Sequence, residues 1–236
     1  FQAQAGIRDF CLSRGLGDVY KRQQRRGGMG KTAASVKDED FVEQLIVANT
    51  HRTLLCFSNL GKVYWLKVYE IPQASRIAKG RPLVNLIELD EQERVTSLLD
   101  VQSFEDEAFV FMATQNGIIK KTPLSEFKRP RKNGKRAIKL DENDELVGTL
   151  LTNGSADLMV VSNAGKAVFF NEKDARSMGR DTRGVKGITL DRNQQVISLL
   201  KPSKESEILT VSENGYGKRS KVSDFRKTKR GAKGVI

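Results

Sequence analysis

The densest concentration of chemistry-bearing residues is Gln24-Arg25-Arg26-Gly27-Gly28-Met29-Gly30, followed by Lys31 and Thr32. Glycines expose backbone amides and let a ligand approach the chain closely, and the flanking cations add charge, so the segment is built to hold phosphate. Two phosphate chemistries compete for it. One is a nucleotide loop, in which Gly27 to Thr32 would cradle a triphosphate ahead of a helix. Such a loop must leave a buried apolar strand, whereas Tyr20 to Arg26 is polar and carries four basic residues. The ordinary spacing also requires a glycine five places before Gly30, where Arg25 stands. The other chemistry is a basic loop that contacts the phosphates of a nucleic acid, and it depends on where else such loops occur.

They recur. A polar turn ending in glycine appears at Ser58 to Gly61, Thr114 to Gly117, Ser162 to Gly165 and Ser212 to Gly215, at intervals of 56, 48 and 50 residues. Each joins two runs rich in β-branched, aromatic and aliphatic residues, as Thr53 to Phe57 and Lys62 to Val68 do in the first copy, and so reads as a hairpin. A second glycine beside Lys or Arg recurs in phase at Gly30, Gly80, Gly134, Gly187 and Gly234. After it come a short apolar run, an acidic turn and another apolar run: Val84 to Leu89, Asp90 to Glu93 and Val95 to Leu99. Each unit of about 50 residues is therefore expected to hold four short strands, the arithmetic of a propeller blade. The fold class is all-β with almost no helix. Three copies are complete, and the copies around Gly30 and Gly234 look cut.

Charge is sorted within each unit. Basic residues crowd the second strand and the glycine loop, while acids gather in the turns Asp38 to Asp40, Glu88 to Glu93 and Asp141 to Glu145. Placed radially, the basic positions would form a band around one rim, where a bent duplex could follow them; a set of merely solvated loops is the plainer alternative. The candidate contact set is Gln24, Arg25, Arg26, Gly27, Gly28, Gly30 and Lys31 in the heptapeptide, then Lys79 and Arg81, then Lys120, Lys121, Arg129, Arg131 and Lys135. Arg183 and Lys186 follow in the next unit, and Lys218, Arg219, Lys229, Arg230 and Lys233 in the last.

The totals agree. Lys and Arg outnumber Asp and Glu by 41 to 29, a formal charge of +12 that favours a polyanion, and 38% hydrophobic residues can supply a core. No apolar run approaches the roughly 20 residues of a membrane span, and Arg8, Asp9 and Arg14 break up any leader at the start, so a cytoplasmic location is expected. Cys11, Cys56 and the single histidine, His51, have neither disulfide nor metal spacing and are expected to be structural. Tyr20, Tyr64, Tyr69 and Tyr216 read as strand or turn residues.

The heptapeptide resembles the gyrase box, Gln-[Arg/Lys]-Arg-Gly-Gly-[Arg/Lys]-Gly, of the C-terminal domain of DNA gyrase A, with Met29 standing where that family has a cation. Phe41 to Val101, with Val47 to His51 and Gly80-Arg81-Pro82, is similar to the family's next blade, and Asn214 to Arg219 to a later one. The resemblance covers Gln24 to Ile236 as one domain. Phe1 to Gln23 falls outside it, as a divergent strand pair or as residues foreign to the domain. The resemblance implies a β-pinwheel, in which neighbouring blades exchange strands and duplex DNA winds around the perimeter to support ATP-dependent negative supercoiling by a type II topoisomerase. It implies as partners the N-terminal portion of gyrase A, which carries the cleaving tyrosine, and gyrase B, which uses ATP; ATP and Mg²⁺ belong to those regions and no cofactor is expected here. The related domain of topoisomerase IV has similar blades without an intact box, and a ParA-like ATPase remains the distant alternative for Gly27 to Thr32.

Overall fold

The computed structural model describes residues 46–74, 81–105 and 107–235. Within them, thirteen strands fall in four consecutive sheets, and a 3-10 turn follows the second strand of each hairpin. In the first unit β1 (Thr53–Ser58) and β2 (Lys62–Lys67) form the hairpin, and β3 (Val95–Val101) pairs antiparallel with β1. The second unit repeats this with β4 (Phe109–Thr114), β5 (Ile118–Pro123), the two-residue β6 (Lys135–Arg136) and β7 (Leu146–Thr152). The third has β8 (Asp157–Ser162), β9 (Ala167–Asn171), β10 (Val185–Lys186) and β11 (Val196–Leu200). The hairpin β12 (Glu207–Val211) and β13 (Gly217–Lys221) begins the fourth.

The outermost strand of each four-stranded sheet comes from the following unit. The order β3-β1-β2-β6 places Lys135 and Arg136 against Val63 and Lys62, and the order β10-β5-β4-β7 places Val185 and Lys186 against Ile119 and Ile118. In the third sheet Val235 bridges Ala167 in the same way. Consecutive sheets are thus stitched by main-chain hydrogen bonds as well as by side-chain packing.

The expected strand over Val84 to Leu89 does not form. Pro82 supplies no N–H and holds an extended φ, and the chain then turns, with the Asn85 amide donating to Pro82 O at 3.1 Å and the Ile87 amide to Leu83 O at 3.1 Å. Leu83, Leu86 and Ile87 lie three and four residues apart and pack together against the first sheet, a helical rather than an alternating spacing. The strand that fills this sheet's edge is β6.

Exchange also corrects the phase of the second glycine series. Gly134, Gly184 and Gly234 precede the exchanged segments at equal intervals of 50 residues, and all three have positive φ, 68°, 106° and 83°. Gly187, assigned to that series by its neighbouring lysine, occupies the position of Ala137: the amides of Ala137 and Gly187 both donate to a hairpin glycine, Gly61 O and Gly117 O, at 2.8 Å. The hairpin glycines are as expected, with φ of 73°, 82°, 72° and 80° at Gly61, Gly117, Gly165 and Gly215.

Between sheets the faces interlock. Leu55, Phe57 and Val63 of the first meet Val110, Met112 and Leu124 of the second, with Phe57 and Phe127 edge to face at 5.9 Å. Phe111, Ala113 and Ile119 of the second meet Leu158, Val160, Val168 and Phe170 of the third. Each buried aliphatic or aromatic side chain here contributes about 1.5–3 kcal/mol. The strands β3, β7 and β11 pack against one another on the inner side, which leaves the exchanged strands at the outer edge.

The glycines provide a graded test. A Cβ at Gly184 would sit 2.6 Å from Ile119 O in a left-handed backbone, whereas at Gly165 it would meet nothing within 4 Å. Gly165→Ala should cost ~1 kcal/mol from conformation alone, and Gly184→Ala ~3 kcal/mol because the exchanged strand must move. Urea unfolding of both variants measures the difference, and equal losses would contradict the exchange.

Candidate nucleic-acid interface

A surface for phosphates needs cations that are exposed and not already neutralised. The topology supplies them by carrying each basic loop from a 3-10 turn, over Leu124–Phe127, Glu172–Asp174 or Val222–Asp224, along the outside of the preceding sheet to its exchanged strand. Arg129 and Arg131 are exposed on the loop of the second unit, as are Lys186 on that of the third and Lys229 and Lys233 on that of the fourth. Arg81 is exposed beside the turn that replaces the expected strand, and Lys218 lies exposed on β13. None of these seven has an ion-pair partner among the described residues. Lys79 and the heptapeptide residues Gln24 to Lys31 lie outside the described residues.

Lys135 is half-buried, with its Nζ 5.7 Å from the centre of the Trp65 ring. Its pKa lies below the ordinary lysine value, first through burial and then through the crowding of Arg180, Arg131 and Arg129. Cations that depress one another's protonation mark a place where an added anion is stabilised.

Other members of the expected set are engaged. Arg183 pairs with Asp141, and Arg219 with Glu207 at 2.7 Å; both remain exposed, so a phosphate has to compete with a carboxylate. Arg230 turns back to the main chain, donating to Asp174 O at 2.8 Å and Lys186 O at 3.0 Å.

Lys120 and Lys121, expected on the band, are inside the protein. Within its sheet β5 has β4 along one edge and the exchanged β10 along the other, and its faces are covered by neighbouring units, Ile119 and Lys121 by the third and Lys120 by the segments of Ala137 and Thr182, so its alternating side chains have no route to solvent. Lys120 is wholly buried, donating from Nζ to Ala137 O at 2.8 Å, to Thr182 O at 3.0 Å and to Arg180 O. Lys121, 6% exposed, lies over the Phe109 ring at 4.6 Å and 3.6 Å from the fully buried Glu172. Glu172 in turn accepts from Thr152 Oγ1 at 2.7 Å and from the Ala156 amide at 2.6 Å. Two of the expected contact residues are therefore unavailable to solvent in the second unit. Arg176, absent from the expected set, is exposed after its 3-10 turn, as is Arg226 one 50-residue repeat later.

Carboxylates answer some of the loop cations, as Glu105 does Lys128 and Asp157 does Lys227, and others gather at the hairpin ends of the sheets. Lys62 pairs with Asp90 and Lys166 with Asp191, at 2.5 and 2.6 Å, so the cations next to the hairpin glycines are neutralised by the acidic turns. Arg94 and Glu145 pair between successive turns at 2.8 Å. Tyr64 is a strand residue whose hydroxyl donates to Glu93 at 2.6 Å, and Cys56 is a buried thiol pushed up to about 12 by burial, hence protonated and inert.

Five successive stretches of the sequence, residues 22–49, 52–102, 108–153, 156–203 and 206–236, match the family described as the DNA gyrase C-terminal domain, beta-propeller. The chain belongs to that family. Its matched stretches follow the repeat seen in the strands, and the first includes the heptapeptide Gln24 to Gly30. The DNA gyrase A proteins of Salmonella typhimurium LT2 and Escherichia coli K12 are each 52% identical over 213 residues, 90% of this chain, and that of Aeromonas salmonicida is 57% identical over 155 residues, 66% of this chain. The chain spans 24% of the length of the first two and 17% of the third. Among solved structures it is similar to a DNA topoisomerase IV C-terminal domain, with a TM-score of 0.77 and 30% identity over 86% of this chain and 64% of that one. A DNA gyrase A C-terminal domain aligns with a TM-score of 0.68 and 31% identity, over 80% of this chain and 60% of that one.

Lys120 makes one property of this gyrase-family domain measurable. Burial pushes its pKa down from 10.5 to about 8. Between those values the unfolded chain holds the proton and the folded chain does not, so this group makes stability rise with pH over that window. The stability of the wild-type chain relative to Lys120→Met should therefore increase from about pH 7.5 to about pH 10, as read from urea midpoints; a constant difference would show that the ammonium is hydrated.

Proposed function

We propose that this chain binds and wraps duplex DNA with little sequence preference, as the C-terminal module of DNA gyrase A. The observation that carries the reading is the placement of exposed arginines and lysines on consecutive loops at the exchanged outer strands, in units of about 50 residues. Cations repeated at equivalent places along a row of sheets suit a phosphate backbone that itself repeats, and phosphates carry no base identity. Bending stiff DNA along such a row costs about 1–6 kcal/mol for a site of about 20–30 bp, which the ionic contacts have to exceed.

In this reading the wrap sets the sign of the DNA crossing handed to the cleavage core, and no residue of the chain is catalytic. Strand cleavage belongs to the N-terminal portion of gyrase A and ATP use to gyrase B, the partners in a cytoplasmic gyrase; no cofactor is assigned to this chain. Gyrase is preferred to topoisomerase IV because Gln24 to Gly30 keeps all but one position of the box.

Two measurements test it. Titration of a fluorescent duplex should show affinity falling by roughly a thousandfold between 50 and 200 mM salt if about six phosphates are engaged. Salt-independent binding, or a strong preference for one short sequence, would contradict the reading. Within a complete gyrase, Arg25→Ala with Arg26→Ala should remove most supercoiling and spare ATP-independent relaxation, which needs the core but no wrap. Loss of both activities together would remove the box from the wrapping role.

A further inference from the structure

The three N–H groups of the Lys120 ammonium meet three carbonyl oxygens, Ala137 O, Arg180 O and Thr182 O, so the full donor capacity of a buried charge is spent on main chain. Those carbonyls lie at two consecutive crossings. Ala137 directly follows β6, the exchanged strand of the first sheet, and Arg180 and Thr182 lead into β10, that of the second. Within two residues of the first carbonyl along the chain are Lys135, Arg136 and Lys139, and the segment that carries the others holds Arg180, Arg183 and Lys186, of which Arg180 and Arg183 also pair with Glu126 and Asp141. One direct main-chain bond runs alongside, from the Lys139 amide to Thr182 O at 3.0 Å.

Resting on the duplex-DNA reading, we propose that Lys120 is a positioning residue, which fixes from inside the fold the separation of two successive cationic loops without touching DNA. The neighbouring seams support this role. The main-chain bond between Lys139 and Thr182 recurs one repeat later between the Thr189 amide and Ala232 O, at 2.8 Å. There the residue equivalent to Lys120 is Val168, three places after its hairpin glycine, and a different cation spans the seam: Arg230, on the following loop, donates to Asp174 O and Lys186 O of the loop before it. At the first hairpin the equivalent residue is Tyr64. Uncharged residues are thus accommodated at this position, while cation-to-carbonyl ties link loops at both later seams. DNA phosphates have a set spacing, so two loops contribute together only when their separation is held.

The test is duplex titration by the 236-residue chain at several salt concentrations. Lys120→Met, and Lys120→Val as the substitution Val168 shows to fit, should fold and should bind about fivefold to tenfold more weakly. Their salt dependence should be shallower by the equivalent of about one or two phosphates, at roughly 0.9 per phosphate. In a chain already carrying Arg183→Ala and Lys186→Ala the same substitutions should have little further effect, because the loop they position no longer holds those charges. Absence of salt-dependent binding by the wild-type chain defeats the DNA reading itself. Wild-type binding that Lys120→Met and Lys120→Val leave unchanged overturns the proposal and spares that reading. An equal loss in both backgrounds, or failure of both variants to fold, assigns Lys120 to general core stability and likewise overturns it.

Discussion

The structure depends on a pairing of two residues: a short segment after each basic loop leaves its own unit and hydrogen-bonds to the outer strand of the sheet before it. A two-residue strand is too short to hold by itself, so its geometry is imposed by its surroundings. Gly134 lies against the ring of Tyr64, where a Cβ would sit 2.7 Å from Cε1, and Gly184 lies against Ile119 O. Only a residue without a side chain makes the approach at positive φ. Because the segment must cross to the neighbouring sheet, the loop preceding it runs along the outside, and side chains that cannot be buried are carried there.

Charge placement follows from that route. Lysines on strands sandwiched between sheets are drawn inside and have to be answered by carbonyls, as at Lys120, or by a buried carboxylate and an aromatic face, as at Lys121. Those on the crossing loops stay in water. Lysines beside the hairpin glycines meet the acidic turns and are neutralised. The same residue type therefore plays three roles in one repeat, and net charge alone distinguishes none of them.

Much of this was legible in the sequence. Glycine spacing, hairpin composition and the segregation of acids showed the repeat, the all-β class and the basic loops, and the matched family agrees with the first two. What the sequence concealed is physical. Val84 to Leu89 is apolar enough for a strand, but Pro82 and the spacing of Leu83, Leu86 and Ile87 favour a turn. Lys120 and Lys121 look like surface cations because nothing local reveals that Arg180 and Thr182, 60 and 62 residues later, close over Lys120, or that the buried Glu172 answers Lys121. Gly187 imitates a member of the glycine series because a lysine precedes it, and only the register of Val185 and Lys186 on Ile119 and Ile118 puts Gly184 there.

The central claim is that basic loops on consecutive sheets act as one winding surface for duplex DNA. Its most direct test is the linking number of relaxed circular DNA, incubated with increasing amounts of the chain and then closed by a nicking-closing enzyme. Winding predicts topoisomers displaced to one sign, further with more protein, and less displaced as salt is raised. A distribution that stays centred on the relaxed position while the DNA is demonstrably bound would contradict it.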